Sequence, residues 1–193
     1  MTRFPCKTKA TKVRSDSVAS LVLLVTNSGL SDNGEFPMVL LQKRDEVGLL
    51  SGLWECPTST ADEAAPAAEV AAQLLALAIQ AASSATFESS NRDASALLCS
   101  HLKALPVSGI RPVGKPFVHM FSHIHRSVRV FGAKVDLHST KTISQKSSAA
   151  AACVQSHSPK AQLLSISRLA SAGIPTLTRK VLCSAAAALG YVL

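Results

Sequence analysis

The sequence predicts an α+β domain built on a mixed, curved β-sheet with flanking helices, and three observations carry that expectation. The run Ser-Val-Ala-Ser-Leu-Val-Leu-Leu-Val-Thr at 17–26 is dense in branched apolar residues and too short to cross a bilayer, the pattern of a buried strand. An Ala-rich stretch at 66–85 places Val70, Leu74, Leu77 and Ala81 at helical spacing. Further on, Val128 and Val130 alternate with Ser127 and Arg129, the two-residue period of a strand with one face inward. At 193 residues the chain is long enough for one domain with its own core. Of its residues 47% are hydrophobic but only 4% aromatic, and much of the apolar count is alanine. The expected core is therefore Leu, Val and Ile on a few strands, wrapped by Ala-rich helices.

After the first strand, residues 27–35 hold Asn27-Ser28-Gly29 and Asp32-Asn33-Gly34, which tolerate positive φ and predict a turn. Pro37-Met38-Val39-Leu40-Leu41-Gln42 then returns as the second strand of a hairpin. At 44–55 two glycines bracket an apolar turn that leads to the only tryptophan, Trp54, read as a core anchor, and to Glu55, read as a salt-bridged or solvated carboxylate. The helix at 66–85 carries Glu69 in its first turn, and a shorter helix is expected at 93–105 across a polar loop at 83–90. The two together look like a helical insertion, about 60–106, on one side of the sheet. Strand character resumes at 117–135 behind Pro116. The Ser/Ala/Lys stretch at 139–160 reads as a flexible loop, with a helical turn as the alternative at 149–154. Leu163-Leu164-Ser165-Ile166 reads as a last strand, and 176–189 as a final helix capped by Thr176 after Gly173-Ile174-Pro175.

A formal charge of +8 suits a polyanionic partner, because each Lys or Arg on a phosphate backbone releases a condensed counterion. Arg3, Lys7, Lys9, Lys12 and Arg14 have no acid among them, so residues 1–16 read as a basic arm, either a targeting segment or a linker touching DNA phosphates. The five cysteines, Cys6, Cys56, Cys99, Cys153 and Cys183, are an odd number at wide intervals with no C-x-x-C pair. Zinc and iron–sulfur ligation are thereby disfavoured, and free thiols in a reducing compartment are expected. His101, His138 and His157 stand apart without ligand spacing. With no apolar run of membrane-spanning length and no secretory start, the expectation is a soluble intracellular protein.

Three ordered segments carry a resemblance. Val39-Leu40-Leu41-Gln42-Lys43-Arg44 leads into Gly48-Leu49-Leu50-Ser51-Gly52-Leu53-Trp54-Glu55-Cys56-Pro57. His119-Met120-Phe121-Ser122-His123-Ile124 follows, and then Gly173-Ile174-Pro175-Thr176 with Arg179-Lys180-Val181. Together they resemble the carboxy-terminal, Nudix-like domain of the MutY family of adenine DNA glycosylases. Cys56 replaces the aromatic residue usual in the first motif, and Phe4-Pro5-x-Lys7 resembles the family's joining segment. Gly-Leu-Trp-Glu alone is shared with Nudix hydrolases, so the Phe-Ser-His segment decides between the two. The resemblance implies a Nudix-like domain over 17–193 that reads 8-oxoguanine opposite adenine in double-stranded DNA, beside a glycosylase catalytic domain in cis or in trans. It implies the nucleus or mitochondrion in a eukaryotic host, and the cytoplasm otherwise.

A Nudix hydrolase holds magnesium and a diphosphate on glutamates clustered along one helix face. Anchored on Gly52-Leu53-Trp54-Glu55, the box glycine falls on Ser59, the first glutamate on Ala65, the Arg-Glu pair on Gln73 and Leu74, and the paired glutamates on Leu77 and Ala78. Between 64 and 87 the only acid is Glu69, and one carboxylate does not hold a magnesium-diphosphate. No metal, cofactor or catalytic residue is assigned to this chain. An iron–sulfur cluster and the glycosylase carboxylate are expected only in a separate catalytic domain.

Recognition remains. Oxidation at C8 turns guanine's N7 acceptor into an N–H donor beside a new carbonyl oxygen, so a reader must accept at one atom and donate to its neighbour. A serine hydroxyl does both. By resemblance, Ser122 makes the discriminating contact, Phe121 wedges or packs against the stacked bases, and His123 steadies the loop or touches the backbone. Lys115, His125 and Arg126 flank the loop as phosphate contacts that set register. The alternatives are a Nudix-type nucleotide hydrolase, against which the missing carboxylates count, and a non-catalytic interaction domain whose loop no longer meets DNA.

Overall fold

A computed structural model describes residues 12–26, 37–44, 50–87, 93–137 and 160–191. The strands are β1 (Arg14–Thr26), β2 (Met38–Lys43), β3 (Trp54–Glu55), β4 (Thr58–Thr60), β5 (Ala85–Phe87), β6 (Arg111–Pro112), β7 (Phe117–Met120), β8 (Ile124–Asp136) and β9 (Ala161–Ser165), and the helices α1 (Ala67–Ser83), α2 (Asp93–Ala104) and α3 (Thr176–Leu189). Among the described residues the strands form one sheet in the order β5-β9-β2-β1-β8-β6, with β3 joined to β2, β4 to β1 and β7 to β8. β1 and β8 run parallel along their whole length, from Arg14 opposite Ile124 to Thr26 opposite Asp136. The β1–β2 and β2–β9 pairs are antiparallel, so the sheet is mixed as expected.

Strand alternation sorts the core into two layers. Ala19, Leu21, Leu23 and Val25 of β1 join Phe131, Ala133 and Val135 of β8 beneath α1 and α2. Val18, Val22 and Leu24 join Val128 and Val130 on the other face, under Val181, Leu182 and Ala185 of α3. Each wholly buried leucine contributes roughly 1.5–3 kcal/mol. α1 is part of the core itself, since Val70, Leu74, Ala78 and Ala82 are all at most 1% exposed. Arg129 sets its approach, donating from Nη1 to the Ala65 carbonyl at 2.9 Å and from Nη2 to the Asp62 carbonyl at 3.1 Å. The turn before Trp54 uses two left-handed residues, Leu50 (φ 63°) and Gly52 (φ 72°).

Several expectations need revision. β1 begins at Arg14, inside the stretch read as a basic arm, because parallel pairing with β8 extends to the hairpin that starts β8. The polar loop at 83–90 contains β5, which exists through its parallel pairing with β9 and not through local periodicity. Thr176 does not cap α3: Pro175 occupies the N-cap position, no side chain bonds there, and Thr176 is the first helical residue. Of the free thiols, Cys56, Cys99 and Cys183 are unpaired, while Cys6 and Cys153 lie outside the described residues. The turn at 27–35, most of the arm, and the loop at 139–159 with His138 and His157 also lie outside them. Among the described residues no helix is long and apolar enough to cross a membrane.

Candidate nucleic-acid interface

β7 and β8 form an antiparallel hairpin in which Phe117 faces Val128 and Met120 faces His125. The Phe121 N–H donates to the Ile124 carbonyl at 2.8 Å, leaving Ser122 and His123 as the turn. Both are exposed, and Ser122 Oγ lies 3.0 Å from His123 Nδ1. The Arg14 N–H donates to the His123 carbonyl at 3.0 Å, which ties the turn to the start of β1.

Beneath the turn the support is layered. Phe121 is half-buried and meets the His119 ring edge-on, centroids 4.7 Å apart at 73°. The Arg126 guanidinium lies 5.7 Å from the Phe121 ring centroid. Two bonds, Nε to Oδ1 at 2.9 Å and Nη2 to Oδ2 at 2.7 Å, fasten Arg126 to Asp16 across 110 positions of sequence. The hydrogen bond from Arg126 holds the Asp16 carboxyl below its usual range, against a smaller opposing effect of burial. Arg126 thus braces the turn with its charge matched by Asp16. Phe121 likewise supports the turn.

The three motif segments converge here. Glu55 pairs with Arg44 at 2.5 Å, yet burial pushes its carboxyl above the usual range. Glu55 also feels the Arg126 charge, and the Trp54 N–H donates to the Gly173 carbonyl at 3.4 Å. Trp54 packs on the α3-side core, as a core anchor should.

Lys115 is exposed beside Gly114, whose φ of 67° suits glycine and whose added Cβ would lie 3.2 Å from Ser184 Oγ on α3. His125 is exposed on the opposite face, in an open cleft of about 470 Å3 lined also by Ser15, Asp16, Ser17, Asp62, Glu63, Val118 and Ser127. The structure therefore brings Phe121, Ser122, His123 and Arg126 together and sends His125 to the other side. Sequence reading missed Asp16 and His119. An acid on β1 signals nothing until β1 is paired with β8, whereas His119 lay in the quoted motif two residues from Phe121.

Burial, reinforced by the charges of Lys180 and Arg126, pulls the His119 imidazole below its ordinary value, and its Nδ1 is buried without a hydrogen-bond partner. A depressed histidine favours the neutral folded form, so its contribution is complete above about pH 6.5 and is lost as pH falls through the folded value. Burial-raised Glu55 acts in the opposite sense, gaining as its carboxyl protonates. The His119 contribution to thermal stability is expected to decline as pH falls below about 6.5, and His119→Gln to remove that decline. An unchanged pH profile in the variant would show that His119 does not titrate in this way.

A mixed sheet with helices on both faces, and a Gly-Leu-Trp-Glu segment leading toward the first helix, is the arrangement of a Nudix domain. The NUDIX domain family model matches residues 30–184, and the chain belongs to that family. No curated protein matches the sequence. Among solved structures, the C-terminal domain of mouse MUTYH, determined in complex with human PCNA, is 19% identical with a TM-score of 0.50, covering 93% of this chain and 92% of that one. A mutT/nudix family protein from Listeria innocua is 15% identical with a TM-score of 0.51, over 93% of this chain and 96% of that one. At these identities the likeness is one of fold.

The residues do not fit the magnesium that Nudix hydrolases use. Leu74 and Ala78, at two of the glutamate positions, are 0% exposed within the apolar core. Among the described residues no group of three His, Cys, Asp or Glu side chains could hold a metal ion.

Proposed function

We propose that this Nudix domain is a reader of oxidised guanine, recognising 8-oxoguanine opposite adenine in duplex DNA beside a glycosylase catalytic domain, in cis or in trans. The observation that carries the reading is the exposed Ser122–His123 turn, with the Ser122 hydroxyl 3.0 Å from His123 Nδ1 and the turn's base held by Phe121, His119, Arg126 and Asp16. The hydroxyl accepts from the lesion's N7–H and donates to its C8 carbonyl oxygen. Normal guanine offers an acceptor at N7 and no oxygen at C8, so it forfeits this complementary pair. His123 holds the hydroxyl near the required position through its Nδ1, and Lys115 supplies a phosphate contact. The fold likeness to the mouse MUTYH C-terminal domain supports the reading, as does the replacement of the hydrolase carboxylates by core residues.

Ser122→Ala is expected to reduce preference for the 8-oxoguanine duplex over the guanine duplex roughly five- to tenfold, the effect of one lost polar contact, with little change in stability. Paired titrations at fixed salt measure it. Equal binding of both duplexes by the intact protein would remove the basis for the proposal.

A protein-interaction role is the second reading, favoured by the exposure of Val118 (60%) and Met120 (69%) on β7. The MUTYH domain was solved bound to another protein, PCNA, which accords with that reading.

A further inference from the structure

The two faces of the hairpin differ in charge, and the difference indicates where a DNA backbone lies. Arg14, Asp16 and Val18 share a face of β1 with the core beneath α3, whereas Ser15 and Ser17 point to the α1 side with Ala19. On the α3 side Arg14, Lys115 and Lys180 are all exposed. The Arg14 charge reaches Asp16 and the Lys180 charge reaches His119, which places both cations next to the supports of the turn. A Cβ added at Gly114 would lie 3.2 Å from Ser184 Oγ, one helical turn beyond Lys180, so the loop that carries Lys115 into β7 meets α3 on this side. The acids flanking this turn, Asp16 and Glu55, are matched by Arg126 and Arg44. On the α1 side Asp62 and Glu63 open onto the cleft beside His125, and neither has an ion-pair partner among the described residues.

We propose that the seam between α3 and the loop entering β7 is the track of the DNA backbone, with Lys180 and Arg14 as phosphate contacts alongside Lys115, and that the cleft containing His125 faces away from DNA. This rests on the lesion-reading proposal and adds the side from which the duplex is held. A phosphate strand on the cleft side would meet two carboxylates that have no ion-pair partner among the described residues, whereas on the seam the acids are paired and Arg14, Lys115 and Lys180 are exposed. The seam supplies register and affinity, and Ser122 supplies discrimination.

The test uses the full chain, duplexes containing 8-oxoguanine or guanine opposite adenine, and a series of salt concentrations. Lys180→Ala and Arg14→Ala should each weaken binding to both duplexes by the same several-fold factor and lower the slope of log affinity against log salt by about 1. The Asp62→Asn, Glu63→Gln double variant should bind as wild type does. An unchanged slope in the Lys180→Ala, Arg14→Ala double variant would overturn the assignment. So would a several-fold gain in affinity when the two cleft acids are neutralised, since that places the strand over them. Because discrimination is read separately, a chain that prefers the lesion with an insensitive slope loses the seam and keeps the reading function. A chain that loses slope on substitution but does not discriminate keeps the seam and loses the reading function. Unfolding curves confirm that these exposed substitutions leave the fold intact.

Discussion

Leu74→Glu is expected to abolish the cooperative unfolding transition of the domain, and not to restore metal binding. Leu74 is 0% exposed in a layer containing Leu21, Leu23, Leu40, Leu98 and Phe131. A carboxylate placed there would have no basic partner within that apolar layer. Leaving it charged, or protonating it against its ordinary pKa, costs several kcal/mol in addition to the lost leucine packing. The total is comparable with the whole stability of a domain this size, about 5–15 kcal/mol. Circular dichroism during heating measures the effect. A folded variant with a near-wild-type melting temperature would refute the reading of α1 as a core helix. The same packing explains how the helix persists without the glutamates of a hydrolase: its inner face serves burial, and only Gln73 and Glu69 of its polar residues near the box remain, both exposed.

Arg126→Ala is expected to lose roughly 2–3 kcal/mol, because it breaks two charge-assisted hydrogen bonds and leaves Asp16 unmatched. Both side chains are well covered, 12% exposed for Arg126 and 25% for Asp16, so screening by water is incomplete. Asp16→Asn should cost less, since the amide oxygen still accepts one bond. In a double-mutant cycle with Arg126→Ala the two losses should fall short of additivity by on the order of 1 kcal/mol. The pH dependence follows from the lowered Asp16 pKa: the pair's contribution is present above the ordinary carboxylate range and is lost as pH falls through the folded value. Asp16→Asn should lack that increment. On the proposed lesion-reading function, Arg126→Ala should also weaken discrimination although Ser122 is untouched, since the ring under the turn loses its cation. Additive energies, together with unchanged discrimination, would show that the ion pair is an isolated surface contact.

The sequence by itself determined the local elements and the chemistry that is missing. Apolar periodicity at 17–26, 66–85 and 176–189 located β1, α1 and α3 to within a few residues, because a buried strand or helix face must repeat with its own geometry. The absence of carboxylates from 70 to 87 is written in the chain, and so is the Phe-Ser-His segment that becomes the turn. Only the tertiary structure decided which residues support that turn and to which face each of its neighbours points. Asp16 meets Arg126 across 110 positions because β1 and β8 pair in parallel, and a shift of one residue in that register would turn Asp16 to the opposite face. Neighbouring His125 and Arg126 were alike as candidate phosphate contacts in the sequence, yet strand alternation sends one to the cleft and the other to the brace. Non-local pairing and face selection arise from the packing of the whole sheet, and no short window of residues encodes them.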